Sequence, residues 1–406
     1  MADPIIQHPP TPAIPLDDDR IWIDGCFDFA HHGHANAILQ AKLLGKYLCV
    51  GVHSDEEIAA NKGPTVMTMK ERLLAVEACK WTNLVVPDAP YVTDPEWLDL
   101  YGCKYVVHGD DITTDGDGRD CYETVKEMGR FKVVKRTDGI STTDLVGRML
   151  LCTKGHWRDD RDVKGVFSAQ EIELLKGFAS DERGVRDVGS QVWIAAKDGQ
   201  LSKLVEGKGP EGRKVVYVDG GFDLFSSGQI EFLKLVVQME QKEAAERGEF
   251  EEDGKTGMKP YVVAGVHGDR VINQFKGLNY PIMNIFERGM CVLQCRYVSS
   301  VVLLSPFKPT VDFLKSLPHP PSVVYHGPRV TLTELEEDPY ADIREAGLYQ
   351  EIEHHEWETV NASEIVERIL RQRIIYEERQ RKKLEKAVVE VDIRQSEMKD
   401  EKYIAQ

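Results

Sequence analysis

The sequence predicts an α/β protein: two doubly wound parallel-sheet domains in tandem, with a charged helical tail. Three observations carry this. Short apolar runs ending at glycine, IWIDG (21–25) and VVYVDG (215–220), lack polar alternation and so read as strands buried on both faces. Each run is followed by a helix-like stretch, and strand–helix alternation continues through both halves, as in a sheet covered on both sides. The whole pattern also occurs twice in the same order.

The duplication is domain-sized. Asp24, Gly25, Phe27 and Asp28 recur as Asp219, Gly220, Phe222 and Asp223. VGVHSDEEI (50–58) returns as AGVHGDRVI (264–272), Lys62-Gly63 as Lys276-Gly277, and Glu71-Arg72 as Glu287-Arg288. VVHG (106–109) matches VYHG (324–327), and ISTTDLVGRML (140–150) matches VNASEIVERIL (360–370). The histidines His31 and His34 are not repeated: Ser226 and Gln229 stand in their places.

Taken in order, residues 1–17 are proline-rich and read as a disordered arm, without the basic start and apolar core of a secretion signal. The first domain, 18–152, begins with the strand 21–25. A helix over 35–44 follows and stops at Gly45. YLCVGVH (47–53) is the next strand, MTMKERLLAVEACK (67–80) a helix, and LVVP (84–87) and YVVHG (105–109) are strands. Residues 153–212 read as a linker with one helical segment, FSAQEIELLKGFA, capped by Ser168. The second domain, 213–372, carries an acidic insertion over 241–259 that lengthens a helix or forms a solvated loop. The tail, 373–406, mixes both charge signs and reads as a surface helix, since its apolar face is thin and contains no Trp or Phe.

Composition excludes several function classes. A formal net charge of −17 argues against nucleic acid as a partner, although a local basic pocket can still hold a small anion. No apolar run approaches the roughly 20 residues of a membrane span. The eight cysteines show no C-x-x-C spacing, so they read as reduced thiols of a cytoplasmic protein, not as a metal site or a disulfide framework.

Two clusters carry the chemistry. His31-His32-Gly33-His34 follows a strand and opens a helix, where backbone N–H groups and the helix dipole favour anions. His31 and His34 share a helix face, their imidazoles can donate to phosphate oxygens, and Gly33 leaves room for a phosphate to approach. RTDGISTT (136–143) likewise leads into a helix start: Ser141, Thr142 and Thr143 are hydroxyls that can cap the helix or hold a second anion, with Arg136 as a fork-shaped donor. Two such sites in one domain suit a polyphosphate.

GCFDFAHHGH, Lys62-Gly63, HGDD (108–111) and RTDGISTT together resemble the cytidylyltransferases of the HxGH nucleotidyltransferase superfamily, over about residues 21–151. The tandem arrangement is similar to the ethanolamine-phosphate branch of that family. The resemblance implies two Rossmann-like nucleotidyltransferase domains and transfer of CMP from CTP to phosphoethanolamine, giving CDP-ethanolamine and pyrophosphate. Phosphocholine or glycerol phosphate are the alternative acceptors. It implies that His31, His34 and Lys62 act on the phosphates, and that Gly25, Cys26, Phe27 and Asp28 lie under the nucleotide. His108, Gly109 and Asp110 are expected at the cytidine end, and Arg136, Gly139, Ile140, Ser141, Thr142 and Thr143 around the β- and γ-phosphates. Mg²⁺ is expected to arrive with CTP, held by phosphate and water, with no protein metal cage. Tyr91, Asp94 and Trp97, in the loop DAPYVTDPEW, are expected near the acceptor as an aromatic cage or a hydrogen-bonding pocket. The second copy lacks the histidines, the acids of HGDD and the hydroxyl run, which predicts one active site, in the first copy, with weak nucleotide binding in the second left open. The duplication also suggests an intramolecular pseudo-dimer or a homodimer.

Overall fold

The structure is a computed structural model that describes residues 5–6, 13–158, 166–196, 198–328, 337–378 and 381. The described residues form two compact units. One comprises the residues up to Glu77, Trp81–Leu150 and those from Ile365 onward; the other comprises Ala78–Lys80 and Leu151–Glu364.

The first unit is a six-stranded, all-parallel sheet. Its strands are β1 (Ile5–Ile6), β2 (Asp17–Gly25), β3 (Tyr47–His53), β4 (Leu84–Ala89), β5 (Cys103–Gly109) and β6 (Phe131–Val134), in the order β1-β4-β3-β2-β5-β6. Helices α1 (His32–Lys42), α2 (Asp55–Asn61), α3 (Met69–Ala78), α4 (Pro95–Leu100), α5 (Glu123–Glu127) and α6 (Thr142–Leu151) connect them. The winding reverses between β2 and β5, and the crevice at their carboxyl ends is where a doubly wound sheet accepts a ligand. Trp22, Leu84, Leu98, Tyr101 and Val106 anchor the apolar cluster on one face of this sheet.

The second unit repeats the plan. Its strands are β7 (Gln191–Ala195), β8 (Leu201–Val205), β9 (Val215–Gly220), β10 (Tyr261–His267), β11 (Ser300–Ser305), β12 (Val323–His326) and β13 (Tyr349–Glu351), in the order β13-β12-β9-β10-β11-β7-β8. Only β7 and β8 pair antiparallel. The helices are α7 (Ala169–Phe178), α8 (Ser227–Glu246), α9 (Asp269–Lys276), α10 (Ile285–Leu293), α11 (Val311–Ser316) and α12 (Ala341–Glu345); a last helix, α13 (Ala362–Arg371), begins in this unit and passes to the first at Ile365.

The turn after the first strand of each copy is strained in the same way. Phe27, Phe29 and Ala30 have φ of 54°, 66° and 41°; Phe222, Leu224 and Phe225 have 48°, 58° and 37°. Left-handed backbone at such residues persists only where surrounding contacts impose it. In the first copy the buried Asp28 carboxylate accepts the N–H groups of Val66 (3.0 Å) and Met67 (2.9 Å). The buried Arg72 guanidinium donates to the Cys26 carbonyl (2.7 Å) and to Asp55 (2.6 Å). Asp223 does the same with Ile282 and Met283 (2.8 and 2.9 Å), and Arg288 with the Gly221 carbonyl and Asp269 (2.6 and 2.7 Å).

Three boundaries differ from the sequence expectation. Ile5–Ile6, placed in a disordered arm, pairs with Leu84–Val85, and Ile14 N–H donates to the Leu100 carbonyl (3.0 Å). The edge of β4 offers unpaired backbone groups that this segment satisfies. Residues 153–212 are not a linker: α7 caps as expected at Ser168, but β7 and β8 extend the second sheet, β7 pairing with β11. The insertion, by contrast, lengthens a helix as expected, continuing α8 to Glu246, after which Phe250 and Gly257 form a bridge. Residues 365–378, assigned by sequence to the second domain and a separate tail, cluster with the first unit. Residues 1–4 and 7–12 of the expected arm, 159–165 of the expected linker, and the tail after 378 other than residue 381 lie outside the described residues.

Asp219, at the end of β9, accepts the hydroxyl of Tyr340, yet burial pushes its carboxyl up to about 7. An unfolded aspartate titrates near 3.9. The folded state therefore binds the extra proton, and this part of the stability is complete below about pH 4 and lost as pH rises to about 7. Calorimetric melts from pH 5 to 8 are expected to show the wild-type midpoint falling relative to Asp219→Asn up to about pH 7. Parallel curves would refute this account.

Candidate active site

A cavity of about 520 Å³ opens at the carboxyl ends of β2 and β5. Its floor is Asp24, Gly25, Cys26, Phe27 and Asp28; His31, Gly33 and His34 come from the start of α1. Lys62 and Gly63 enter from the end of α2, His108 and Gly109 from β5, and Arg136, Ile140, Ser141 and Thr142 from the approach to α6. The helix starts α1 and α6 thus face one space, which is the arrangement expected for a chain of phosphates.

His31 is the N-cap of α1: its Nδ1 accepts the Gly33 N–H at 3.1 Å. A neutral ring so bound carries its proton on Nε2. The rings of His31 and His34 stack, 3.9 Å between centroids and 17° apart in plane. Two imidazolium charges that close would repel, so a bound anion is what favours charging the pair. His32 is buried and does not line the cavity. The structure revises the role of Gly33. A Cβ there would lie 2.9 Å from His31 Cε1, His31 Nδ1 and Ile140 Cγ2, so the missing side chain makes room for the imidazole itself.

Lys62 caps the end of α2, with its Nζ 5.3 Å from the centroid of the Tyr91 ring. The loop that follows is the one Asp28 holds through Val66 and Met67. Ser141 Oγ accepts the Asp144 N–H (3.0 Å) and caps α6, while Thr142 Oγ1 donates to the Asp28 carbonyl (3.3 Å). Arg136 pairs with Asp111 at 3.0 Å, both half exposed. The approach to α6 is tied to α1 by Asn36 with Thr137 (2.9 Å) and by Gln40 with both backbone groups of Lys135 (2.9 and 3.0 Å). Burial lowers the pKa of His108, which lies 3.3 Å from Thr113 Oγ1.

Some expected residues fall elsewhere. Asp110, Gly139 and Thr143 do not line the cavity: Asp110 accepts the Arg136 N–H (3.1 Å), and Gly139 turns the chain at φ 80°. Of the acceptor set, Tyr91 is buried and donates to the Thr114 carbonyl (3.4 Å). Asp94 is spent as the cap of α4, accepting the Glu96 N–H (2.9 Å), and Trp97 packs 5.8 Å from Tyr101. None of the three lines the cavity. Sequence reasoning omitted Asp24, which takes hydrogen bonds from Trp22 (2.9 Å), Thr93 (2.8 Å) and Tyr122 (2.6 Å) at the cavity floor. Its recurrence as Asp219 was the available signal. It also omitted Asn61, Thr113, Thr114, Lys135, Thr137, Ile375 and Glu378, all of which line the cavity.

Comparison with known proteins agrees with this geometry. Residues 22–148 match the cytidylyltransferase-like family. An ethanolamine-phosphate cytidylyltransferase of Dictyostelium discoideum is 43% identical over 91% of this chain and 95% of its own length. That of Mus musculus is 41% identical over 90% of this chain and 89% of its own. The chain belongs to the ethanolamine-phosphate cytidylyltransferase family. It is a nucleotidyltransferase. The choline-phosphate cytidylyltransferase 2 of Arabidopsis thaliana, 47% identical, matches only 32% of this chain, so the similarity through both copies is to the ethanolamine-phosphate family.

Within this family fold, the second copy keeps the frame and fills the helix start. Ser226 Oγ donates to the Val360 carbonyl (2.6 Å), and Gln229 accepts the Ser226 N–H (3.0 Å). A Cβ on Gly228 would meet the Val360 and Trp357 carbonyl oxygens at 2.5 and 2.6 Å. Carbonyl oxygens lie against the start of α8, where an anion would have to sit, and their partial charge is of the wrong sign. Lys276 persists 5.4 Å from the Tyr280 ring, with its pKa lowered by burial. Arg329, which follows HGP where the first copy has HGDD, lies outside the described residues.

Gly33→Ala is expected to leave the helix intact, since alanine is the better helix former, while displacing His31. Turnover should drop roughly 100-fold, the scale set by a misplacement of about 1 Å, while loss of the His31 cap lowers the melting midpoint by only a few degrees. Full activity in the folded variant would show that His31 tolerates the shift.

Proposed function

We propose that the first copy transfers CMP from CTP to phosphoethanolamine, releasing pyrophosphate and forming CDP-ethanolamine. The observation that carries the chemistry is the convergence of two helix starts, the His31–His34 stack and Lys62 on one cavity. The choice of acceptor rests on the match to ethanolamine-phosphate enzymes through about nine-tenths of the chain.

In this reading a phosphate oxygen of phosphoethanolamine attacks the α-phosphorus of CTP. The new O–P bond forms as the bond from the α-phosphorus to the oxygen linking the α- and β-phosphates breaks, and that oxygen leaves with pyrophosphate. The attacking oxygen is already anionic, so no general base is needed, and catalysis consists of positioning and charge stabilisation. His31 and His34 donate to phosphate oxygens, and Lys62 meets the charge shared by the α-phosphate and the incoming phosphate. Ser141, Thr142 and Arg136 hold the β- and γ-phosphates. Gly25, Cys26 and Phe27 support the nucleotide, with His108 and Gly109 toward cytidine. Asp28 acts one step back, by fixing the loop that carries Lys62. Asp110, Gly139 and Thr143 serve the backbone around Arg136 and α6.

Among the described residues no group of three His, Cys, Asp or Glu side chains is placed to hold a metal ion. Asp24 and Asp28 are engaged by Trp22, Thr93 and Tyr122 and by the Val66–Met67 backbone. The fit is to Mg²⁺ carried by the triphosphate, where it would offset part of the phosphate charge. We place the reaction in the cytoplasm, on the support of eight cysteines that form no disulfide among the described residues. No helix among the described residues is long and apolar enough to cross a membrane. The duplication supports a chain whose two copies replace the partners of an ancestral homodimer.

The test is pyrophosphate release by the purified protein with CTP and Mg²⁺, offered phosphoethanolamine, phosphocholine or glycerol phosphate in turn. Phosphoethanolamine is expected to give the highest kcat/KM, and preference for another acceptor would overturn the assignment. His34→Ala should lower kcat by about 10²–10³-fold, the usual loss for one donor to a developing anion. Gln229→Ala in the second copy should leave kcat within about twofold of wild type, because it removes a helix cap and no reacting group.

A further inference from the structure

The end of the described chain reaches the cavity. Ile375 and Glu378, on one face of the helix 373–378, line it together with Lys62, Gly63 and Pro64. Two contacts fix this segment within the first unit. Tyr376, 3% exposed, donates its hydroxyl to the Thr65 carbonyl at 3.0 Å. Arg368, on α13, grips Glu71 with both terminal nitrogens at 2.9 Å, and the Glu71 side chain is 1% exposed. Glu71 in turn accepts the N–H and hydroxyl of Thr68 (2.7 and 2.9 Å), which starts α3.

The loop from Lys62 to Thr68 is therefore held on two sides. Asp28 takes its Val66 and Met67 N–H groups from the cavity floor. The C-terminal segment takes the carbonyl of Thr65, three residues from Lys62, and anchors the capping carboxylate at the loop's far end. Gly63, at φ 95°, is the permissive point of the loop. Helix α2 holds the loop's start, its Ile58 carbonyl taking the Lys62 and Gly63 N–H groups (2.8 and 3.0 Å) and its Asp55 the Thr65 hydroxyl (3.2 Å), and the two clamps fix the course of the loop beyond the glycine.

We infer that the segment 365–378 is a working part of the active site, with Tyr376 and Arg368 as positioning residues that set Lys62 for the transition state. This rests on the functional reading above. The first copy then depends on residues at the end of the second copy's repeat and just beyond it in the chain.

Tyr376→Phe keeps the buried ring and removes only the hydroxyl. It is expected to lower kcat about 10-fold while KM for CTP stays within about twofold, because Lys62 acts on the transition state. In a Lys62→Ala background the same change should have no further effect, since residues acting as one unit are not additive. Arg368→Lys, which keeps the charge and loses the two-pronged grip, should lie between wild type and Arg368→Ala in kcat. It also provides the measurement if Tyr376→Phe fails to fold. A wild-type kcat in folded Tyr376→Phe, or an equal loss with and without Lys62, would overturn the inference while leaving the cytidylyltransferase reading intact. A wild-type protein that releases no pyrophosphate with any acceptor would remove both.

Discussion

The Asp28 carboxylate, accepting two backbone N–H groups from Val66 and Met67, is the contact on which the first copy's site depends. It joins the strained turn after β2 to the loop that carries Lys62. Arg72 completes the joint by holding the Cys26 carbonyl from the other side. A buried carboxylate is costly unless its oxygens are satisfied, and here backbone donors supply that satisfaction. The left-handed Phe27, Phe29 and Ala30 are then affordable in a turn of nine-tenths-buried residues. Two walls of the cavity meet at this joint: the α1 start on one side and the lysine loop on the other.

The same joint explains the duplication. Asp223 and Arg288 rebuild it in the second copy to within about 0.2 Å of the same distances, with the same sequence of left-handed residues. The frame is thus a folding requirement of this strand–turn–helix unit, and both copies must pay its strain. The histidines are not part of it. In the first copy His31 caps α1 with its own ring and leaves the cavity open. In the second, Ser226 caps α8 with Gln229 and brings in the Val360 carbonyl, so the helix start is closed by protein. A helix terminus needs its N–H groups satisfied either way. The chemistry lies in which copy leaves that satisfaction partly to a ligand.

Much of this was legible in the residues. Strands read from apolar runs and helices from spacing survive, because burial on both faces of a parallel sheet leaves a local signature, and the two helix starts singled out in the first copy both line one cavity. Asp24 could have been found from its repeat, Asp219. What was misread shares one cause. Asp94 and Trp97 sit in a polar, aromatic loop that resembles a binding loop, yet a carboxylate that caps α4 and an indole packed on Tyr101 produce the same letters. Gly33 was correctly singled out, but only the position of the His31 ring shows what its empty space accommodates.

The boundaries followed the same division. By itself the sequence determined the fold class, the duplication, the copy that carries the histidines and the reaction family, since each depends on residue type at short spacing. Only the tertiary structure decided that β7 and β8 belong to the second sheet, that Ile5–Ile6 covers the edge of β4, and that residues 365–378 join the first unit. Edge pairing and helix docking are choices among partners distant in the chain. They are settled by which backbone edge or buried carboxylate is left unsatisfied, as with Glu71 and Arg368, 297 residues apart, and that is a property of the assembled molecule.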